Sequence, residues 1–375
     1  MSSAMAPTLF ARLTNIGRRA GESTHMPCVA ACSSSSHLAY FLIEAVHAPL
    51  LEPFTALALS ILFTAFYVLP FYFSSTTRPS PTLSRDAPSV IRARIRFVSA
   101  SVALATLSTA YLLHTRALSD YRTVLHTLGV YPINGLAALK ALLLTACLFA
   151  GPIFEKALPE EGWRRWIRGT ELHETLSSWI GWRNYVAGPL SEELLFRSVI
   201  LALHTHTRPQ LQPATLIFAT PLYFGIAHIH HFYEFKLTHP YTPLVPAVLR
   251  SVIQFSYTTV FGWYATFIFL RTGSLWAVFL IHSLCNWAGL PRVWGRVEGI
   301  EVPERGFHST IRGKEDNDSG AQPPTNRLGL IWTALYYLIL VAGAFVWWQQ
   351  LWTLTETDNA LADLRPQKAA HKAGR

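Results

Sequence analysis

Long apolar stretches without a single Asp, Glu, Lys or Arg dominate the pattern along the chain: residues 53–77, 97–113, 209–227, 251–270, 272–291 and 328–355. Roughly 17–25 such residues are enough to cross the ~30 Å hydrocarbon core as a helix. One or two could be buried helices of a soluble domain, but six predict an all-α, polytopic membrane protein. Adding interrupted segments predicts about eight transmembrane helices, near 53–73, 97–115, 134–154, 185–204, 211–229, 246–270, 273–290 and 329–352. Lys140 interrupts the third, and Glu192, Glu193 and Arg197 the fourth. Residues 160–183 mix Trp163, Trp166, Trp179 and Trp182 with Arg and Glu, which predicts an amphipathic helix at the interface. Residues 1–37 read as a disordered tail, 38–352 as one helical membrane domain with a polar loop at 292–328, and 353–375 as a polar tail. Leu38–Phe41, with Glu44 and Glu52, adds a possible short membrane segment.

Composition sharpens this picture in one respect. Charged residues make up 14% of the chain, against about 25% in soluble domains. The net charge of +9 raises the question of nucleic acid. However, the basic residues sit between the apolar runs, as in Arg92/Arg94/Arg96, Arg164/Arg165/Arg168 and Arg292/Arg296, where they would face lipid headgroups. Neither a zinc-finger nor an RNA-binding signature accompanies them. Alternate loops carry 17 and 11 Lys and Arg, so the side with 17 is expected to be cytosolic. Cys28, Cys32, Cys147 and Cys285 form no metal-ligand pattern and imply no disulfide framework.

Ionisable residues inside a span cost about 2.5–3.5 kcal/mol each on insertion scales and so mark functional sites. Of the 16 Glu and 6 Asp, only Glu192 and Glu193 fall well inside a predicted span. Glu193 and Arg197 are four residues apart, share a helical face and can pair. Glu192 points roughly 100° away and has no partner on its own helix. A buried ion network that only locks helices is the alternative use for these residues. Two further clusters weigh against it, Phe224-Gly-Ile-Ala-His228 and His282-Ser-Leu-Cys-Asn286. Counted along their spans, all three clusters fall in the same half of the bilayer.

Absences bound the chemistry. No His-Glu-x-x-His zinc motif is present, no Asp lies well inside a span, and no rhomboid-type Gly-x-Ser-Gly occurs. Cys285 is a weak thiol candidate, because it diverges from His282 around the helix. A carboxylate and a His could activate water, and a His and an Asn could donate hydrogen bonds to an oxyanion. Glu192, His228 and His282 are also acceptable zinc ligands by type. His230 and His231 read equally well as site lining or as interface decoration.

Glu192-Glu-x-x-x-Arg197, Phe224-x-x-x-His228 and His282-x-x-x-Asn286, in that order, resemble the signature of the CAAX protease and bacteriocin-processing family. The fuller strings resemble its eukaryotic, Ras-converting type II branch. The resemblance is dense over 184–291, with a weaker hint at Arg85-Asp86-Ala-Pro88. It implies an endopeptidase of the endoplasmic reticulum membrane with its active site facing the cytosol. That enzyme would remove the C-terminal tripeptide from prenylated CaaX proteins such as Ras-like small GTPases. It implies Glu192 as general base assisted by His228, His282 and Asn286 as the oxyanion hole, Glu193 and Arg197 as a supporting pair, and no obligatory metal or other cofactor. Two alternatives remain open at this stage: a non-catalytic scaffold or lipid-binding protein, and a zinc-dependent membrane protease.

Overall fold

A computed structural model describes residues 51–80, 82–118, 120–300 and 325–364. Expectations for residues 1–50, for 301–324 of the polar loop and for 365–375 lie outside the described residues. The described chain is helical apart from one antiparallel two-stranded ribbon, Glu298–Ile300 with Thr325–Arg327, inside the predicted polar loop.

The principal helices are α1 (Pro53–Val68), α2 (Pro88–Arg116), α3 (Gly135–Leu148), α4 (Gly188–Glu193), α5 (Pro221–Ala227), α6 (Leu244–Thr272), α7 (Leu275–Ala288) and α8 (Leu330–Leu354). Their starts follow local chemistry. Pro opens α1, α2 and α5, where its missing N–H costs nothing. Asn134 and Ser274 cap α3 and α7 by accepting hydrogen bonds from Ala137 N and Ala277 N. Gly273, with φ of 57°, ends α6 in the left-handed conformation that glycine adopts without a Cβ clash. Only Gly273 and Ser274 separate α6 from α7, so the two helices pack as neighbours.

Four helices or helix pairs are long and apolar enough to cross a membrane singly: Pro53–Phe73, Pro88–Arg116, Leu244–Thr272 and Leu330–Leu354. A fifth forms if α3 and Ala150–Ala157, bent by 77° at Phe149, count as one span. The remaining predicted spans are shorter or broken. Thr220 and Pro221 divide 211–229 into Pro213–Ala219 and α5, and α7 has only 14 residues. The predicted amphipathic helix over 160–183 is also broken, into Gly162–Ile167, Thr170–Ser177 and Trp179–Trp182. Gly169, in the left-handed conformation, ends the first of these segments, and Ser178, in extended backbone, ends the second.

The surface is apolar where a soluble protein would be polar. On α8, Leu338, Val341, Phe345 and Trp348 all point outward, as do Leu104, Leu107 and Tyr111 on α2. Such continuous exposed apolar faces belong against lipid. The helical run carrying α4 is the opposite case: residues 195–203 are buried all round, between two core clusters. A helix that is hydrophobic on every side is a core element, so the acidic pair is mounted on the most enclosed element of the bundle.

Where α8 crosses α3, a Cβ on Gly343 would overlap the Cys147 carbonyl oxygen. Gly343→Leu is therefore expected to destabilise the bundle by about 1–3 kcal/mol. Gly135→Ala, which meets open space, should leave stability unchanged or slightly raised. Thermal unfolding in detergent, followed by tryptophan fluorescence, checks the pair; equal losses in both would contradict this packing.

Candidate active site

The site begins with a backbone irregularity. Pro189 has no N–H, so the Tyr185 carbonyl loses its i+4 donor. Gly188 N donates to Arg183 O, one residue further back than in an α-helix, so the Asn184 carbonyl loses its donor as well. Residues 183–187 form a π-turn as a result, and a second π-segment follows α4 at Leu194–Ile200. π-turns of this kind often mark functional sites. Here α7 repairs the backbone: Ser283 Oγ donates to Tyr185 O at 2.7 Å, and Asn286 Nδ2 donates to Asn184 O at 3.0 Å. The distorted helix is thereby tied to the helix that carries the His-x-x-x-Asn motif.

Glu193 and Arg197 pair as their spacing predicts. Arg197 Nη1 donates to Glu193 Oε1 at 3.2 Å, and Nε lies 3.2 Å from Oε2, with both side chains essentially inaccessible. The guanidinium sits over the rings of Phe224 (4.6 Å) and Phe261 (5.6 Å), a favourable arrangement for a desolvated Arg. Space for it comes from Gly262, where a Cβ would meet Pro221 Cβ at 2.6 Å and Arg197 Nη2 at 3.4 Å.

The same Glu193 oxygen accepts a hydrogen bond from His282 Nδ1 at 2.6 Å. The other ring nitrogen, Nε2, lies 3.6 Å from Glu192 Oε2. Glu192 thus has a neighbour on α7. His228 also packs on Phe224, whose ring centroid is 4.6 Å from that of His228 and 6.2 Å from that of His282. The Phe224 carbonyl, 2.7 Å from His228 Nδ1, can only accept, so Nδ1 carries a proton. The three sequence clusters converge on Phe224. Asn286 sits at the exposed edge with one amide N–H committed to Asn184 O, which leaves its second N–H.

Sequence reasoning missed three contributors. Tyr67 of α1 places its hydroxyl 3.1 Å from Ser191 Oγ and also interacts with Glu192. Phe261 lies against both Arg197 and His282. Ser283 was only a spacer in its motif. No local signal picks out Tyr67, which is 124 residues from Ser191. Ser283 was in a motif string, and its role required knowing what lies opposite.

Glu192, His228 and His282 do not form a three-ligand metal cluster among the described residues. The group close enough to do so is His230, His231 and Glu234. Its carboxylate already meets Arg94 at 2.9 Å and Arg85 at 3.7 Å, two cations that would repel a metal ion. Burial alone would raise the Glu234 carboxyl, but the His231 hydrogen bond and those arginines hold it well below the usual carboxylate range. Burial, reinforced by His230, pushes His231 down to about 3, so its neutral Nδ1–H is what donates to Glu234. His231 lines a polar cavity, and His230 packs against Phe71 and Tyr72.

Comparison with known proteins agrees with the motifs. Residues 174–288 match the family described as type II CAAX prenyl endopeptidase Rce1-like. The chain is 36% identical over 301 residues to the probable CAAX prenyl protease 2 of Schizosaccharomyces pombe, covering 80% of this chain and 94% of that one. It is 35% identical over 232 residues to CAAX prenyl protease 2 of Homo sapiens (60% and 68%) and 29% over 321 residues to that of Saccharomyces cerevisiae (78% and 93%). No solved structure matches the chain. On these matches, the chain belongs to the type II CAAX prenyl endopeptidase family.

Proposed function

We propose that this protein is an intramembrane endopeptidase that removes the C-terminal tripeptide from prenylated CaaX proteins, with Glu192 as the base that activates water. The observation that carries the reading is the His282 bridge, with Nδ1 held by Glu193 at 2.6 Å and Nε2 turned to Glu192 at 3.6 Å. Glu192 takes a proton from a water that His228 helps to hold. The hydroxide adds to the scissile carbonyl, and the developing oxyanion accepts hydrogen bonds from His282 Nε2–H and the second Asn286 N–H. Collapse expels the tripeptide amine, which receives the proton from Glu192.

A prenylated CaaX chain has a lipid that belongs in the bilayer and a peptide that belongs in water, and a bundle with apolar outer faces and a polar site suits both. We assign the protein to the endoplasmic reticulum membrane with the site facing the cytosol, in keeping with the 17-to-11 excess of basic residues on that side. Ras-like small GTPases are the substrates proposed. No feature of the site favours the scaffold reading, and the repulsion at Glu234 weighs against a zinc enzyme built there.

Glu192→Gln is expected to lower tripeptide release from a farnesylated CaaX peptide by at least 10²–10⁴-fold, and Asn286→Ala by about 10²–10³-fold. Cys285→Ala should be nearly silent, and the unprenylated peptide should resist cleavage. Release that survives in Glu192→Gln would remove Glu192 from the role of base.

Arg197→Met should cost about 3–5 kcal/mol of stability, because it strands a buried carboxylate. The double variant Glu193→Leu/Arg197→Met should regain most of that in thermal unfolding yet remain inactive, because His282 has lost its Nδ1 acceptor. Recovery of both stability and cleavage would reduce the pair to a purely structural element.

A further inference from the structure

A polar cavity of about 390 Å³ opens beside the site, walled by the segment 78–94, by the helix His230–Thr238 and by the first turns of α6. That volume is in the range of small-ligand pockets. Its lining is strongly basic, with Arg78, Arg85, Arg94 and Arg250 against two carboxylates, Asp86 and Glu234. Those carboxylates are already engaged, Glu234 by Arg94 at 2.9 Å and Asp86 by Arg183 at 2.7 Å. Neutral His231 adds no charge. Arg78 has no acidic partner among the described residues, and the Arg250 guanidinium lies over the Phe235 ring at 4.4 Å.

One largely buried residue presents its side chain to this cavity. Gln254 is 6% exposed and lines the cavity, and its side-chain amide has no hydrogen-bond partner among the described residues. It stands one turn beyond Arg250, on the same face of α6. A buried amide next to a guanidinium calls for an acceptor that is itself an anion. The cavity also adjoins the site, since His231 lines it and the His231 ring centroid is 5.8 Å from that of His228.

We propose that this cavity receives the free α-carboxylate of the substrate's last residue, with the Gln254 amide and the Arg250 and Arg78 guanidinium groups as its donors. Three extended residues span at most about 10 Å; the His228 and His231 rings are 5.8 Å apart, and His231 is in the cavity wall. The subsite then acts as a ruler, because holding the chain end here places the third peptide bond from the end at Glu192. Leu83, Val90 and Phe235 in the wall offer an apolar surface for the last side chain. This inference rests on the endopeptidase reading.

The test uses a farnesylated CaaX peptide and its C-terminal carboxamide twin, with wild type, Gln254→Leu, Arg250→Gln and Arg78→Gln in phosphatidylcholine vesicles with and without phosphatidylserine. Wild type should favour the free acid by about 10–100-fold in kcat/KM, the worth of one charge-assisted contact. The variants should pull that ratio toward one, chiefly by raising KM for the free acid. Arg78 is exposed, so Arg78→Gln tests the idea even if Gln254→Leu fails to fold. Equal cleavage of acid and carboxamide by wild type would overturn the proposal. So would variant losses that are equal for both peptides and depend on phosphatidylserine, which would assign the cavity to a lipid headgroup. If folded wild type cleaves neither peptide, the endopeptidase reading fails instead. The subsite is then decided by binding to Glu192→Gln membranes, where preferential capture of the acid upholds it and equal capture ends it.

Discussion

The Glu193 carboxylate is the point on which the structure turns. It is fully buried in an apolar bundle, where an uncompensated charge would be expelled or neutralised. Two partners hold it: Arg197 from the next turn and His282 from α7. Each partner recruits further structure. Arg197 requires the Phe224 and Phe261 faces and the gap at Gly262, which fixes α5 and α6 around the central run. His282 orients its second nitrogen toward Glu192. One desolvated carboxylate therefore sets the positions of four helices and the orientation of a ring.

The second constraint is backbone satisfaction. Within a bilayer, an unpaired carbonyl costs several kcal/mol, and irregular backbone survives only where protein groups replace the lost bonds. Pro189 and the π-turn before it free the Asn184 and Tyr185 carbonyls, and α7 fills both vacancies with Ser283 and Asn286. The helix that presents the carboxylates cannot straighten without breaking these contacts, nor can α7 slide along it. Close approach of α5 to α6 is enforced separately, since a Cβ on Gly225 would meet the Phe255 ring at 2.9 Å.

These two constraints leave two distinct regions, an apolar outer surface and a small polar cluster with a basic cavity beside it. The basic cavity lies on the His231 side of His228, and the Arg94–Glu234–Arg85 cluster forms its wall. Under the proposed reading, the prenyl chain meets the first region, the scissile bond the boundary and the chain end the second. The geometry then accounts for a fixed tripeptide product without a separate length-sensing device.

Much of this was legible in the chain itself. The charge-free runs are a direct statement of lipid contact, so the membrane-spanning, all-α class follows from them. The Glu193–Arg197 pair follows from a spacing of four, and the three motifs identified the family before any coordinates. What the sequence could not determine was how many runs remain single helices. Hydropathy does not register the 77° bend at Phe149, the break at Thr220–Pro221 or the π-turns around Gly188, because all of them keep the apolar count unchanged. Nor could it show that His282 bridges both glutamates, that Tyr67 meets Ser191 or that Gln254 faces an arginine-lined cavity. Those contacts join residues 89, 124 and about 170 positions apart. Local spacing determines which groups share a helix face, but only the packing of helices decides what each face meets.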